Sequence, residues 1–324
     1  MQRRTLLAAM AAPLAAPVVA RAQSAGSFPD HPIRIISPYP PGGGTDTSAR
    51  LMAPHMTAVL GQNIIIENRG GAAGALGAAV VAETPPDGYT LLVDSLGHVV
   101  NPHILRGLRF DYATAFAPVS LLVVLPQFLV IPASIPANTV AEFLAWCRAR
   151  PGQLSYGSSG NGTGAHLAAL LFVRETGLDL THVPYRGGSA VIPDLVAGNV
   201  SFAFATVSTS MALIQDGRLK ALAVTYKDRL PSMPNVPTTR ELGMPRVDVD
   251  EWNAMYARGG TPEPILARLH AAAAHALAQP NVQQRFTQLG GLIVNSSMAE
   301  AAAFVRERRE AMGRLVREAQ VVVE

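Results

Sequence analysis

Short apolar segments alternate with helix-like segments along most of this 324-residue chain. The apolar segments have the length of β-strands, and in the segments between them apolar residues recur at helical spacing. Strands that alternate with helices pair mostly in parallel, because each helix returns the chain to the same end of the sheet. The pattern occurs in both halves, and the chain is too long for one ordinary core. We therefore predict an α/β fold with two lobes and mostly parallel sheets.

The limits of the predicted elements follow from these patterns. The predicted strands are 33–37, 63–67, 89–93, 119–124, 127–131, 154–157, 180–183, 200–205 and 220–225. The predicted helices are 45–60, 73–83, 139–149, 164–176, 188–197, 208–216, 263–278, 281–289 and 298–319.

Residues 1–22 have the pattern of an export signal. Arg3 and Arg4 form a positive start, residues 6–20 are apolar and rich in alanine, and residues 20–22 match an A-x-A cleavage site. The apolar run is short and broken by prolines, which is unlike a transmembrane helix. We therefore expect export, with cleavage near Ala22, by either the Sec or the Tat route.

The net charge gives no support for nucleic-acid binding. The full sequence has 26 Lys and Arg against 23 Asp and Glu, and the signal contains three of the arginines. Without the signal, the positive and negative charges are therefore equal in number, at 23 each. The basic character of the full sequence belongs to the signal.

Cofactor and metal chemistry have little support in the sequence. The single cysteine, Cys147, lies in an apolar helical segment and is interpreted as a small buried side chain. No histidine, cysteine or carboxylate cluster has metal-ligand spacing. The spacing of Gly71, Gly74 and Gly77 differs from a dinucleotide-binding turn. We expect no metal and no cofactor.

The segment PYPPGGGTDTSAR, residues 38–50, predicts an anion-binding turn between a strand and a helix. Its glycines allow backbone N–H groups to approach a ligand closely, and the helix start adds unpaired N–H groups and a positive dipole end. A nucleotide P-loop is not indicated, because the required lysine is absent. Thr45 or Asp46 is expected to cap the helix. A plain tight turn is the alternative. The candidate ligand-binding residues here are Gly43, Gly44, Thr45 and Asp46, with Tyr39 as a weaker candidate.

Residues 154–166 repeat this arrangement in the second half of the chain. A strand is followed by a small polar loop and a helix start, so hydroxyl and N–H groups meet at a helix N-terminus. Two such turns, one from each lobe, would hold one anion from both sides. A histidine packed on the helix face is the alternative for His166. The candidates are Ser158, Ser159, Asn161, Thr163 and His166.

Three further loops follow predicted strands, and ligands of open α/β sheets bind at the carboxyl ends of strands. The loops contain the weaker candidates Ser95, Arg186 and Thr206. Arg186 is interpreted either as a partner for a distal carboxylate or as a solvated loop charge. All of these loops are rich in glycine and hydroxyl groups and poor in acid–base groups. This composition favours holding a ligand over reacting with it.

A serine hydrolase is the alternative from another class. Its nucleophile would be Ser159, but residues 157–161 read G-S-S-G-N and depart from the G-x-S-x-G elbow at the fifth position. His166 follows too closely to be a typical distal base.

Several motifs together resemble one family of receptors. They are 32–38 with 42–46, 67–74, 86–92, 101–102, 158–163 with His166, 182–187, 219–225 and 260–262. In this order and spacing they are similar to the extracytoplasmic solute receptors of tripartite tricarboxylate transporters, also called Bug receptors. The resemblance extends from about Phe28 to the C-terminus.

The resemblance implies a periplasmic binding protein of two α/β lobes, like type II periplasmic binding proteins, with a ligand cleft between them. Lobe one would comprise 28–125 and 226–324, and lobe two 126–225. It implies a small carboxylate ligand held by the two turns, delivery to membrane permease subunits, a monomer, and no enzymatic activity. A ligand sensor for a signalling partner is a further alternative.

The sequence departs from the family at two places. Members commonly carry an acidic residue at the position of Ala205, and often another at Ser201. An ammonium group would lack that partner here, so we expect amino acids to bind poorly. The second departure is Pro40-Pro41, whose nitrogens carry no hydrogen, so the amide donors must begin at Gly42.

Overall fold

The structure of the protein is a computed structural model that describes residues 28–247 and 249–319. The predicted signal, residues 1–22, lies outside the described residues. The strands are β1 (Ile33–Ser37), β2 (Ile64–Asn68), β3 (Thr90–Asp94), β4 (Phe116–Leu125), β5 (Gln127–Pro132), β6 (Leu154–Ser158), β7 (Leu180–Pro184), β8 (Phe202–Thr206), β9 (Leu219–Val224), β10 (Glu251–Arg258) and β11 (Leu292–Ile293).

Ten α-helices and two short 3₁₀-helices are described. The α-helices are α1 (Gly44–Leu60), α2 (Ala75–Ala82), α3 (Gly97–Ile104), α4 (Val140–Arg148), α5 (Gly164–Thr176), α6 (Gly188–Ala197), α7 (Val207–Gln215), α8 (Glu263–Leu277), α9 (Pro280–Gln288) and α10 (Met298–Ala319). The 3₁₀-helices are Ala72–Gly74 and Pro245–Val247.

The strands form two sheets, which define two lobes. The sheet of lobe one has the order β11-β4-β10-β3-β1-β2, and the sheet of lobe two has the order β7-β6-β8-β5-β9. The predicted α/β class with two lobes is confirmed. The expectation of mostly parallel sheets is wrong, because β10 runs antiparallel to β3 and β4, and β5 runs antiparallel to β8 and β9. Both sheets are mixed because each lobe receives strands that enter from the other lobe.

Each face of the first sheet is covered by helices. Ile33 and Ile35 point to one face, where they pack with Met52 of α1 and Leu269 of α8. Ile36 points to the other face, in a cluster with Val81 of α2. This alternation is the period of two expected of a strand, and burial on both faces explains why β1 is so apolar.

Two elements longer than three residues were absent from the prediction. The first is β10, whose residues 252–257 are all buried, and the second is α3. The sequence of β10, EWNAMYAR, contains three polar residues and no β-branched residue, so its strand signal is weak. Pairing with two neighbouring strands outweighs this weak local preference.

The chain crosses between the lobes twice. The outward crossover is short, since β4 ends at Leu125 and β5 begins at Gln127. The return follows β9, and residues such as Leu230 and Val236 still pack in the core of lobe two. The predicted boundary at 226 stays a prediction, and these contacts favour a return near Asp250.

Candidate functional site

The two crossovers are bonded to each other where the lobes meet. The backbone N–H of Gln127 donates to Thr225 Oγ1 (3.1 Å), and the N–H of Thr225 donates to the Gln127 carbonyl (2.9 Å). The Gln127 side chain also donates to the carbonyl of Val249 (3.1 Å). The first two bonds extend the pairing of β5 with β9, and the bond to Val249 holds the outgoing and returning chains side by side, which is the place for a hinge between two lobes.

The first glycine turn leads into α1 at this junction. A Cβ added at Gly44 would lie 3.5 Å from Asn253 Nδ2 and 3.5 Å from Leu125 Cδ1, so the start of α1 faces both crossover strands. Gly43 is the N-cap residue, and no side chain caps the helix. The expected capping by Thr45 or Asp46 is therefore wrong. The backbone N–H groups of the first helical turn lack intrahelical acceptors and remain available as donors.

The side chains of Thr45 and Asp46 are buried beneath the turn and stabilise it by hydrogen bonds. Thr45 Oγ1 and Ser37 Oγ are 2.8 Å apart in the interior. Asp46 is 2% exposed and accepts hydrogen bonds from the Gly42 N–H (2.9 Å), Asn68 Nδ2 (2.9 Å) and Arg50 Nε (2.9 Å). Burial alone would raise the Asp46 pKa, but these hydrogen bonds outweigh it and lower the pKa. The Asp46 carboxylate is therefore ionised and stabilises the turn.

The second turn leads into α5 from the other lobe. Thr163 is its N-cap, and Thr163 Oγ1 accepts from the His166 N–H (3.3 Å). The same hydroxyl donates to the Gly160 carbonyl (2.8 Å) and accepts from Ser159 Oγ (3.0 Å). The hydroxyls of Ser159 and Thr163 therefore hold the turn in shape, which leaves ligand contacts to its backbone groups.

Ser158, His166 and His182 form a polar cluster under the second turn. Ser158 Oγ lies 2.7 Å from His182 Nε2, and the rings of His166 and His182 stack at 4.2 Å. His166 Nδ1 accepts from the Gly162 N–H (3.1 Å). Burial, with a contribution from His182, lowers the pKa of His166 to about 4, so this ring is neutral at pH 7. His166 supports the loop and carries no charge toward an anion.

Glu251 is a residue of the junction that the sequence analysis missed. Its Oε1 accepts a hydrogen bond from the Gly164 N–H (2.8 Å), so a carboxylate of lobe one lies against the N-terminus of α5 in lobe two. A Cβ added at Gly164 would lie 2.7 Å from that oxygen and 3.1 Å from Gln127 Nε2. The signal in the sequence was the acidic pair Asp250-Glu251 at the start of an unrecognised strand.

The remaining candidates surround the two turns. Tyr39 OH accepts from Ser95 Oγ (3.2 Å) and donates to the Ala73 carbonyl (3.4 Å), so both residues join neighbouring loops of lobe one. Thr206 is the N-cap of α7, and its hydroxyl contacts those of Ser208 and Thr209. Asn161 and Arg186 are exposed.

The loop that contains Arg186 is bonded to the second turn. The N–H groups of Tyr185 and Gly187 donate to the carbonyls of Ser158 (3.0 Å) and Ser159 (3.1 Å). The Arg186 side chain forms no hydrogen bond or ion pair with any residue that the structure describes. Its guanidinium is therefore available beside the second turn.

The junction is equipped to hold an anion by amide donors. Within residues 28–247 and 249–319, no group of three His, Cys, Asp or Glu is placed to hold a metal. None of the helices in the described part of the chain is long and apolar enough to cross a bilayer. The candidate binding residues other than the glycines mostly build the turns, and their contact with a ligand stays a prediction.

Three solved structures have the same fold over nearly the whole chain. BugD, a periplasmic binding protein, is 30% identical with a TM-score of 0.82, covering 92% of this chain and all of BugD. MatC from Rhodopseudomonas palustris, solved with bound malate, is 34% identical with a TM-score of 0.80, over 89% of this chain and all of MatC. Another R. palustris protein, solved with adipate, is 31% identical with a TM-score of 0.83, over 91% of this chain and 99% of its own.

The sequence also matches a family profile over residues 48–321, that of the "Tripartite tricarboxylate transporter family receptor". This match covers most of the chain, including the second turn, and begins at residue 48, just after the glycines of the first turn. Together with the solved structures, it confirms the resemblance found in the motifs. The protein is a member of the tripartite tricarboxylate transporter receptor family.

Proposed function

We propose that this protein binds a small organic carboxylate between its lobes and delivers it to the permease of a tripartite tricarboxylate transporter. The observation that carries the proposal is the convergence of two helix N-termini on one pair of crossover strands. Gly44 of α1 faces Leu125 and Asn253, and Gly164 of α5 faces Gln127 and Glu251. Helix N-termini favour anions through their dipoles and unpaired N–H groups.

The relatives support a dicarboxylate as the ligand class. Malate is bound in MatC, and adipate is present with the other R. palustris protein. The guanidinium of Arg186 is exposed next to the second turn and has no partner among the residues that the structure describes, so it suits the distal carboxylate of such a ligand. Binding without chemistry is proposed because the histidines beside the turn are neutral supports, and among the described residues of the junction no nucleophile has its own base and orienting acid.

The protein is proposed to act in the periplasm, after removal of residues 1–22. The exported protein would close around its ligand by bending at the crossovers near Leu125 and Asp250. N-terminal sequencing of the protein from an osmotic-shock fraction tests both the periplasmic location and the removal of residues 1–22. We expect a mature N-terminus at Gln23, and a cytoplasmic full-length protein would contradict it.

Calorimetry with matched ligands tests the binding proposal. The panel is malate, glutarate, adipate and citrate, and the controls are the corresponding neutral amides glutaramide and adipamide. We expect at least one carboxylate to bind with micromolar or tighter affinity, and the amides to bind at least about a hundredfold more weakly, because the amide-rich turns select for charge. Equal affinity for acid and amide, or no binding of any carboxylate, would overturn the proposal. Native mass spectrometry of freshly purified protein provides an independent search for a retained acid.

A further inference from the structure

Glu251 links the two lobes through a carboxylate that belongs to the protein itself. It is the first residue of β10 in lobe one, and it accepts the N–H of Gly164, the first residue of α5 in lobe two. The next N–H groups of α5 are those of Ala165 and His166, and the latter is already bonded to Thr163 Oγ1. Glu251 thus occupies a donor that an incoming carboxylate would use.

The described residues around Glu251 include other carboxylates. The negative charge of Asp94, at the end of β3, raises the pKa of Glu251. The charges of Asp94 and Glu251 also contribute to the raised pKa of the Tyr39 hydroxyl in the first turn, after burial as the main cause. The neighbouring Asp250 contacts Thr225 Oγ1 (3.3 Å), and the nearest titratable side chain of α5 is the neutral His166. Glu251 forms no ion pair with any residue in the described part of the chain.

These surroundings favour the protonated form of Glu251. Burial is the main cause that raises the Glu251 pKa, and the negative charge of Asp94 raises it further. Hydrogen bonds from the N–H groups of Gly164 and Leu96 lower it, and the net effect is a pKa of about 7. The carboxyl therefore changes its charge close to neutral pH, at the point where the two lobes meet.

We propose that Glu251 is a specificity-determining residue of the cleft, which must carry a proton when a dicarboxylate binds, so that binding takes up one proton from solvent. This inference rests on the proposed function. In the ionised form, Glu251 holds the Gly164 N–H and repels the ligand. In the protonated form, its O–H donates to a ligand carboxylate, and the Gly164 N–H can be shared with the ligand.

The pH dependence of affinity tests this coupling. Adipate and malate are titrated between pH 6 and 8.5, where their own carboxyl groups are ionised, in pairs of buffers with different ionisation enthalpies. We expect affinity to be constant near pH 6 and to fall about tenfold per pH unit above pH 7, with proton uptake rising toward one. Affinity that does not change across this range would overturn the inference while leaving the proposed function intact.

Two variants locate the effect. Glu251→Gln keeps an oxygen acceptor for Gly164 and an N–H donor for the ligand, so it should bind with an affinity that no longer depends on pH and exceeds that of the wild type at pH 8.5. Glu83→Gln makes the same change at an exposed position after α2, and it should retain the wild-type pH dependence. A pH dependence that persists in Glu251→Gln would overturn the inference.

A measurement without ligand separates this inference from the proposed function. The raised pKa means that the folded protein binds the Glu251 proton more tightly than the unfolded chain does. This residue therefore costs the wild type stability as pH rises from about 4.5 to 7, and the cost is constant above that range. The melting temperature of Glu251→Gln relative to wild type should rise between pH 5 and 8, while that of Glu83→Gln should not.

The melting temperatures and the binding titrations together distinguish failure of this inference from failure of the proposed function. A difference between Glu251→Gln and wild type that is the same at every pH would show that Glu251 does not titrate near neutrality, and it would overturn the inference. A rising difference, with no carboxylate bound at any pH, would overturn both the proposed function and the coupling, while locating the titrating group at Glu251.

Discussion

Ser158 and His182 are joined by a 2.7 Å hydrogen bond between the serine Oγ and the histidine Nε2. Such a pair is the core of a serine hydrolase, but here the serine is fully buried and the histidine has no carboxylate on its other nitrogen among the described residues. Burial lowers the pKa of His182, so its ring is neutral at pH 7. The pair connects β6 to β7 beneath the second turn and supports that turn.

We expect no hydrolysis of activated esters by this protein. Ser158 is inaccessible, and Ser159 donates its hydroxyl proton to Thr163 and has no base within the described part of the chain. The measurement is the release of p-nitrophenolate from p-nitrophenyl acetate and butyrate, with Ser158→Ala and Ser159→Ala as matched variants. A burst or turnover that either substitution abolishes would restore the hydrolase alternative.

Replacement of Gly164 by alanine should destabilise the protein and weaken ligand binding. The new Cβ would lie 2.7 Å from Glu251 Oε1, so the Glu251 carboxyl must move away and its hydrogen bond with the Gly164 N–H is lost, at a cost of about 0.5–1.5 kcal/mol. Gly188→Ala is the control, because Gly188 is also the first residue of a helix in lobe two and its Cβ would meet Thr209 Cγ2 at 3.7 Å. Urea unfolding of both variants gives the comparison, and equal stability would contradict the close contact.

Removal of the Asp46 carboxylate should loosen the first turn. Asp46→Ala leaves the Gly42 N–H and the Asn68 amide without their acceptor, with an expected loss of about 1–3 kcal/mol of unfolding free energy. Because the folded-state pKa of Asp46 is lowered, its stabilising contribution is present above the unfolded value of 3.8 and is lost as pH falls through the lower folded value.

Urea unfolding at pH 7 and melting curves from pH 2.5 to 5 measure the two effects. The stability difference between wild type and Asp46→Asn should shrink as pH falls below 3.8. Asp216→Asn, at the exposed end of α7, should show no such change. A stability difference between Asp46→Asn and wild type that is independent of pH would show that protonation of Asp46 is not coupled to unfolding.

Glutarate should bind more tightly than glutamate at pH 6.5. Ala205 is buried in the apolar cluster with Phe128, so β8 offers no carboxylate at the position where the family resemblance implies one. Ser201 precedes β8 at the other end, in a cavity of about 230 Å³ that also includes Ser155 and Asn199. The unpaired ammonium should cost glutamate about tenfold or more in affinity. Calorimetry with both ligands is the test, and tighter glutamate binding would contradict it and indicate an ionised Glu251 as the ammonium partner.

Local patterns were sufficient to predict most of the elements. The strand predicted at 33–37 is found at Ile33–Ser37, and the helices predicted at 164–176 and 188–197 have those limits in the structure. These elements depend on apolar periodicity and on helix ends, which are properties of neighbouring residues. The two polar glycine turns were visible for the same reason, since each lies between a strand and a helix that follow one another along the chain.

The tertiary structure alone decided how these turns are supported and what faces them. β10 forms because β3 and β4 offer it edges to pair with, and its own sequence gives little indication of a strand. Glu251 meets Gly164 although 87 positions separate them, and its raised pKa comes from burial and from Asp94 on another strand. Burial and through-space charge depend on how the lobes pack, so the sequence predicted an anion-binding place, and only the packed structure brought a proton-binding carboxyl into it.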